Sequence, residues 1–299
     1  VCVDRNGCVW SFGNNSNGQL GLGNIYEQET PKQITSLPPC SSVHCGSDFT
    51  LCITTDSDVW GFGSNSYGQL GLGNYEQQNV PQELPVQGIT LADCGDYHSI
   101  IMEESGKLLV AGNNSHGELG LAAETSKCST FTELTVKDPI SSFSCGGSFM
   151  MILTNTGEVI GVGNNRNGQL GLPLSSNQDF HFDTLPFDVR ISFISCGNMH
   201  SMCIDDEGNL WTMGLNNNGR LGFPDSPIET PKKVPGLCEV RTVSRGGHIS
   251  IVKCGDGSIS MLGSMSNLKG VSELLQSGKY DDMIGFSFRR SDLLKSATK

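Results

Sequence analysis

The sequence repeats itself, and that repeat limits the possible folds more than any other feature. Gly13 to Gly23 reads Gly-Asn-Asn-Ser-Asn-Gly-Gln-Leu-Gly-Leu-Gly. Close copies lead off at Gly63, Gly112, Gly163 and Gly214, and a worn copy starts at Gly263. The leading glycines stand 50, 49, 51, 51 and 49 residues apart. A second motif keeps the same period: Cys45-Gly46, Cys94-Gly95, Cys145-Gly146, Cys196-Gly197 and Arg245-Gly246. Between the two motifs lie short apolar runs such as Phe49 to Thr54 and Val59 to Gly63, separated by turns. Those turns carry Asn6-Gly7, Ser105-Gly106, Thr156-Gly157, Glu207-Gly208 and Asp256-Gly257. Glycine at the second turn position supplies the positive φ that tight hairpins need. Pro31, Pro81 and Pro231 fall in the segments leaving the glycine-rich motif, where an edge strand or a loop is expected.

Short strands at a period near 50, without a helical pattern, define a β unit that cannot bury its own faces. Neighbouring units must cover it. Solenoid β repeats are shorter, so radial stacking into an all-β propeller of about 50-residue blades, each of three or four strands, is the expected fold. Residues 1–263 form the propeller repeats, and 264–299 are a degenerate end, a linker or a closing segment. Leu268 and Val271 stand there where the motif requires glycine, and residues 291 to 297 could form a capped helical turn.

These motifs resemble the regulator of chromosome condensation repeat family. Cys94-Gly95-Asp96-Tyr97-His98-Ser99 and Val59-Trp60-Gly61-Phe62-Gly63 carry the resemblance most closely, and it covers about residues 1 to 263. It implies a β-propeller, commonly of seven four-stranded blades. Six repeat units are visible, so either a blade precedes the chain or the ring closes with fewer. A fragment or domain of a longer protein is the expected reading.

Several motifs invite chemical readings that the repeat removes. The glycine cluster at Gly18 to Gly23 has the wrong order for a dinucleotide fingerprint and no helix follows it; Gln19 stands where a phosphate loop needs lysine. An element present five times over is architecture. The cysteines come singly, without a Cys-x-x-Cys pair, so Cys45, Cys94, Cys145 and Cys196 are expected as small buried thiols near the axis, not as metal ligands. His98 and His200 share a register with Phe49, Phe149 and Ile249, which marks a packing position. A buried imidazole bonded to neighbouring backbone is expected there. His44, His116 and His181 form no triad with a serine and a carboxylate. Trp10, Trp60 and Trp211 share a position with Leu109 and Ile160 and read as ordinary core residues. They do not supply the dense tryptophan cluster of the plant ultraviolet-B photoreceptor that the family resembles. Asn14-Asn15-Ser16 and Asn113-Asn114-Ser115 are formal sequons inside the repeated turn and are expected to be unmodified. No catalytic residue, metal or cofactor is expected.

The chain carries a net charge of −12 and no basic run, which argues against nucleic acid as a partner. No apolar stretch reaches the roughly 18 residues of a membrane span. The cysteine pattern suits a reducing compartment, so a cytoplasmic or nuclear location is expected. Function on such a scaffold resides in its loops. The positions just after each Cys-Gly vary from copy to copy, which makes Asp48, Asp96, Tyr97, Asn198, Met199 and His248 candidate partner-binding residues. Neutral drift would leave the same pattern. The main reading is a protein–protein interaction scaffold. The resemblance also implies an alternative, guanine-nucleotide exchange on a small Ran-like GTPase, with Asp48, Asp96 and His200 as contacts. A third reading is a regulatory propeller of a larger ubiquitin ligase or kinase. Exchange would need a wedge-like insertion, yet the spacing from the third motif glycine to the next Cys-Gly position is 24, 23, 25, 25 and 23 residues.

Overall fold

The computed structural model describes residues 1–173, 182–224, 227–237, 239–245 and 249–263. Those residues form six antiparallel sheets in chain order. The first holds β1 (Cys2–Val3), β2 (Val9–Gly13) and β3 (Gln28–Gln33). The second runs through β4 (Cys40–Cys45), β5 (Phe49–Thr54), β6 (Val59–Gly63) and β7 (Gln78–Glu83). The third repeats this with β8 (Ile89–Cys94), β9 (His98–Glu103), β10 (Leu108–Asn113) and β11 (Lys127–Leu134). The fourth has β12 (Ile140–Cys145), β13 (Phe149–Thr154), β14 (Val159–Gly163) and the short β15 (Asp183–Thr184). The fifth comprises β16 (Ile191–Cys196), β17 (His200–Asp205), β18 (Leu210–Gly214) and β19 (Ile228–Lys233). The sixth is β20 (Val240–Arg245), β21 (Ile249–Cys254) and β22 (Ile259–Gly263).

Each sheet is a meander whose strands pair in sequence order. The strands β4, β8, β12, β16 and β20 contact one another in succession and line the axis, which is the blade arrangement of a β-propeller. Four sheets have all four strands; the first has no innermost strand and the last no outermost one among the described residues. Pro31, Pro81 and Pro231 sit in β3, β7 and β19, each the outermost strand, where a missing N–H leaves no ladder bond unmade. The tail from Ser264 onward, including residues 291 to 297, lies outside the described residues.

The core lies between sheets. One cluster joins Leu51, Leu70 and Leu84 of the second sheet to Ile101 and Leu109 of the third; another joins Met151 and Leu170 to Ile194 and Met213. Burying each such side chain contributes about 1.5–3 kcal/mol. The repeated glycines make this close packing feasible. Gly21, at φ +67, faces the ring of Phe62 in the next sheet, and an added Cβ would lie 2.9 Å from it. The glycine-rich motif is therefore a blade-to-blade packing surface.

Asparagine closes each motif loop. Asn65 is fully buried; its Oδ1 accepts the N–H of Leu70 at 3.0 Å and its Nδ2 donates to the carbonyl of Asn74 at 3.0 Å. Asn15, Asn114, Asn165 and Asn216 accept the matching N–H in their own loops. Of the two sequon asparagines, Asn14 is exposed and Asn113 is buried.

Candidate functional site

Strand direction puts both motifs on one face of the propeller. The innermost strand of a blade ends at Cys-Gly, and the third strand ends at the leading glycine of the loop motif. The hairpin turns and the exits of the outermost strands occupy the opposite face.

The Cys-Gly loops of consecutive blades are stitched together around the axis. Ser47 N–H donates to the Asp96 carbonyl at 3.4 Å, Asp96 N–H to Gly147 at 3.0 Å, and Gly147 N–H to Asn198 at 2.9 Å. Side chains reinforce the backbone ladder. The Asp96 carboxylate accepts the Ser47 hydroxyl at 3.0 Å and the Asn198 amide at 3.0 and 3.1 Å. Asp96 thus reaches past the fourth blade to the fifth. It can do so because Gly147 intervenes: a Cβ there would lie 2.9 Å from Asp96 Oδ2 and 2.8 Å from the Asn198 carbonyl.

The next ring position holds Asp48, Tyr97, Ser148 and Met199. Gln19 Nε2 donates to Asp48 at 3.0 Å. In the next blade the corresponding pair is Gln69 and Tyr97, so no carboxylate stands at that ring position, and the buried Gln69 Nε2 has no hydrogen-bond partner. Tyr97 packs on Tyr67, ring centroids 5.0 Å apart. Burial, then the charges of Asp96 and Asp48, raise the Tyr97 phenol above its ordinary pKa. Glu118 replaces the motif glutamine in the third blade. Its buried carboxylate accepts the His116 N–H at 2.7 Å and the Asn113 amide, and burial raises its pKa.

The structure therefore brings Asp96 and Asn198 into contact and keeps Asp48 half-buried against Gln19, while Tyr97 and Met199 stand exposed beside them. His248 lies outside the described residues. Several sequence expectations need correction. Cys94, Cys145 and Cys196 are buried, but Cys45, at the end of β4, is exposed. Among the described cysteines, Cys2, Cys8 and Cys128 are also only half-buried. Trp10, Trp60 and Trp211 are only half-buried; Trp60 and Trp211 pack against core clusters that span the seam to the preceding blade.

The histidines depart from expectation too. His200 is fully buried, which removes it as a surface contact, and its Nε2 pairs with the Ser250 hydroxyl of the next blade at 3.2 Å. Neither ring nitrogen of His98 has a hydrogen-bond partner. Met150 stands where Ser250 would be, and burial pushes the His98 pKa down to about 4.

The motif Cys-Gly-x-x-His/Phe now has a physical reason. The rings of Phe49, His98, Phe149 and His200 lie directly over Gly46, Gly95, Gly146 and Gly197, where any Cβ would overlap them. Sequence reasoning missed three groups at this face. One is Asp93, whose Oδ2 accepts the Cys145 N–H of the next blade at 2.8 Å. Another is Gly147. The third is the company Tyr97 keeps: Tyr26, Tyr67 and Tyr75 also emerge on this face. No single repeat position holds all four, and only the fold gathers them. Among the described residues, no group of three or more His, Cys, Asp or Glu is placed to hold a metal ion. No helix of the described residues is long and apolar enough to cross a membrane.

The architecture directs attention to known repeat propellers. The model of the regulator of chromosome condensation (RCC1) repeat matches residues 6–53, 56–102, 156–204 and 207–257. The chain belongs to this repeat family. It is 31% identical to the human probable E3 ubiquitin-protein ligase HERC6 over 263 residues, covering 83% of this chain and 25% of that ligase. Identity is also 31% to the Arabidopsis thaliana ultraviolet-B receptor UVR8, over 83% of this chain and 58% of the receptor. For the Xenopus laevis kinase Nek9 it is 31%, over 86% and 29%. The RCC1-repeat chain thus spans from a quarter to under two thirds of these relatives. Among solved structures, yeast RCC1 (Prp20) bound to Kap60 aligns with a TM-score of 0.77 at 22% identity, over 89% of this chain and 66% of that one. Human WBSCR16 aligns at 0.74 and 24% identity, over 85% and 70%. These likenesses establish the fold and a general interaction or regulatory class.

Proposed function

We propose that this RCC1-repeat propeller is a protein-docking module that engages its partner through the face carrying the Cys-Gly loops. The observation that carries this is the grouping of Tyr26, Tyr67, Tyr75 and Tyr97, all exposed, with Ile25 and Met199 on that one face. Tyrosine and methionine are enriched in protein interfaces because they offer apolar area with little rotamer entropy to lose. Asp48 and Asp96 set an acidic centre among them, which favours a basic partner surface and speeds encounter. The yeast RCC1 solved with Kap60, and studied for binding to Gsp1p and histones, lends support by fold likeness.

The double substitution Tyr67→Ala/Tyr97→Ala tests the reading in quantitative capture of partners from extract. Proteins held by the unsubstituted chain are expected to weaken at least about tenfold, since interface tyrosines are frequent energetic hot spots. Glu104→Ala, on the opposite face, should leave capture unchanged. Equal capture by the tyrosine variant and the unsubstituted chain would overturn the assignment. The shared quarter of HERC6 and Nek9 supports a further element of the proposal, that the module regulates a larger enzyme. Nucleotide exchange is distinguished by release of fluorescent GDP from Ran. Acceleration of about a hundredfold, a lowering of the barrier by about 2.7 kcal/mol, would replace the docking reading by an exchange factor.

A further inference from the structure

On the tyrosine-bearing face two carboxylates stand without a countercharge. Asp48 is held by the Gln19 amide, and Asp96 by the Ser47 hydroxyl and the Asn198 amide, all of them neutral donors. Among the described residues neither carboxylate enters an ion pair. The two loops meet, because Ser47, which bonds Asp96 at 3.0 Å, directly precedes Asp48. Both charges act on the Tyr97 phenol, so one ring lies in the field of the pair.

Tyr97 adds an aromatic surface beside them. It packs on Tyr67 with the rings tilted by 41°, and each tyrosine keeps more than a third of its surface exposed. The same face already shows a tyrosine taking a cation: Lys127 Nζ lies 4.0 Å from the centre of the Tyr75 ring. An acceptor is also wanting here. Gln69 is held as Gln19 is, its Oε1 accepting the Tyr67 N–H at 3.0 Å as that of Gln19 accepts the Asn17 N–H at 2.9 Å. Gln19 then turns its Nε2 to Asp48, whereas the buried Nε2 of Gln69 finds no partner. An occupant of this spot needs positive charge, a flat face for the ring and a hydrogen-bond acceptor.

We propose that Tyr67, Tyr97, Asp48 and Asp96 form a receptor for one arginine side chain of a partner protein. The guanidinium lies over the Tyr97 ring and donates to the two carboxylates. Its planar fork of five N–H donors suits both tasks, and it is more weakly hydrated than an ammonium, so arginine is preferred to lysine. The main-chain carbonyl of the same residue satisfies Gln69 Nε2 once the Tyr97 ring swings outward. This inference rests on the docking reading above and narrows it to one anchoring side chain, of a type that often dominates binding energy.

The test titrates the full chain into fluorescein-labelled Gly-Gly-Arg-Gly-Gly and reads anisotropy. Saturable binding is expected, weakened at least about tenfold when citrulline, the uncharged isostere, replaces the arginine. Asp48→Asn/Asp96→Asn should weaken it by a similar factor. Asp56→Asn/Glu104→Gln removes the same charge from the opposite face and should leave it unchanged. Should the first variant fail to fold, Tyr97→Leu decides, with a severalfold loss expected from the missing aromatic face. Absence of saturable binding at millimolar chain would overturn the site. Equal losses from the two charge variants would do the same, since the −12 charge alone would then explain the attraction. Equal affinity for the arginine and citrulline peptides, with partner capture still lost in Tyr67→Ala/Tyr97→Ala, would remove the arginine receptor and leave the docking reading in place.

Discussion

Replacing His98 with phenylalanine is expected to stabilise the protein and to flatten the pH dependence of its stability. His98 is 1% exposed and neither ring nitrogen is paired. A buried unpaired polar group costs about 1–3 kcal/mol, so the gain is present even at neutral pH. Acid enlarges it. The folded-state pKa is about 4, against an ordinary value of 6.5, so between these values the unfolded chain binds the proton more readily. Stability is therefore complete above about pH 6.5 and is lost as pH falls toward 4, by about 3 kcal/mol in all. Phe49 and Phe149 occupy the same register, fully enclosed over their own glycines, so the ring is compatible with the site. Thermal melts at pH 7 and pH 5 measure both effects. A His98→Phe variant that loses stability on acidification as steeply as the unsubstituted chain would refute the assignment. His200→Phe should behave oppositely and destabilise, because it strands the buried Ser250 hydroxyl.

Gly95→Ala is expected to lower stability by about 2–3 kcal/mol, near the upper end for overpacking. The new methyl would overlap the His98 ring and lie 2.5 Å from the carbonyl oxygen of Gly146. The ring has limited room to retreat, and the carbonyl belongs to the next blade's loop, so the seam itself must open. Adding His98→Ala should recover much of the ring clash but leave the carbonyl contact. Urea melts of the two variants separate these contributions. A Gly95→Ala protein with an unchanged midpoint would contradict the packing geometry.

The two predictions show which parts of the molecule a linear sequence can display. The period, the hairpin turns, the edge prolines and the structural character of Gly21 and Gly71 were readable because each is fixed inside one repeat or between adjacent ones. Buried packing at the His98 register was readable for the same reason, since phenylalanine substitutes there. Its missing partner was not: that depends on Met150, a residue of the next blade that no local pattern links to His98. The exposure of Cys45 was likewise not readable, since Cys94, Cys145 and Cys196 at the same repeat position are buried. The Asp96–Asn198 contact joins residues 102 positions apart and requires Gly147 between them. Asp96 and Asn198 were visible as variable loop positions; that they bond each other was legible only in three dimensions. The half-buried tryptophans illustrate the same limit, because a seam position is enclosed on one side by its own sheet and on the other by whatever the neighbour supplies.

The bridge from Asp96 to Asn198 has a consequence for cooperativity. In a stacked-repeat chain the free energy is usually a sum over units and adjacent interfaces, so any blade can open with a penalty set by its two neighbours. A bond between the third and fifth blades adds a second-neighbour coupling to that sum. The fourth blade is then enclosed by a strap that neither flanking interface contains, and releasing it severs a link between blades that do not otherwise meet at this loop. Blades three to five are accordingly expected to share protection in hydrogen exchange more closely than blades two to four, which have no such strap among the described residues. Sheets alike in topology are thus not alike in coupling: one of them lies under a strap that its own interfaces do not contain.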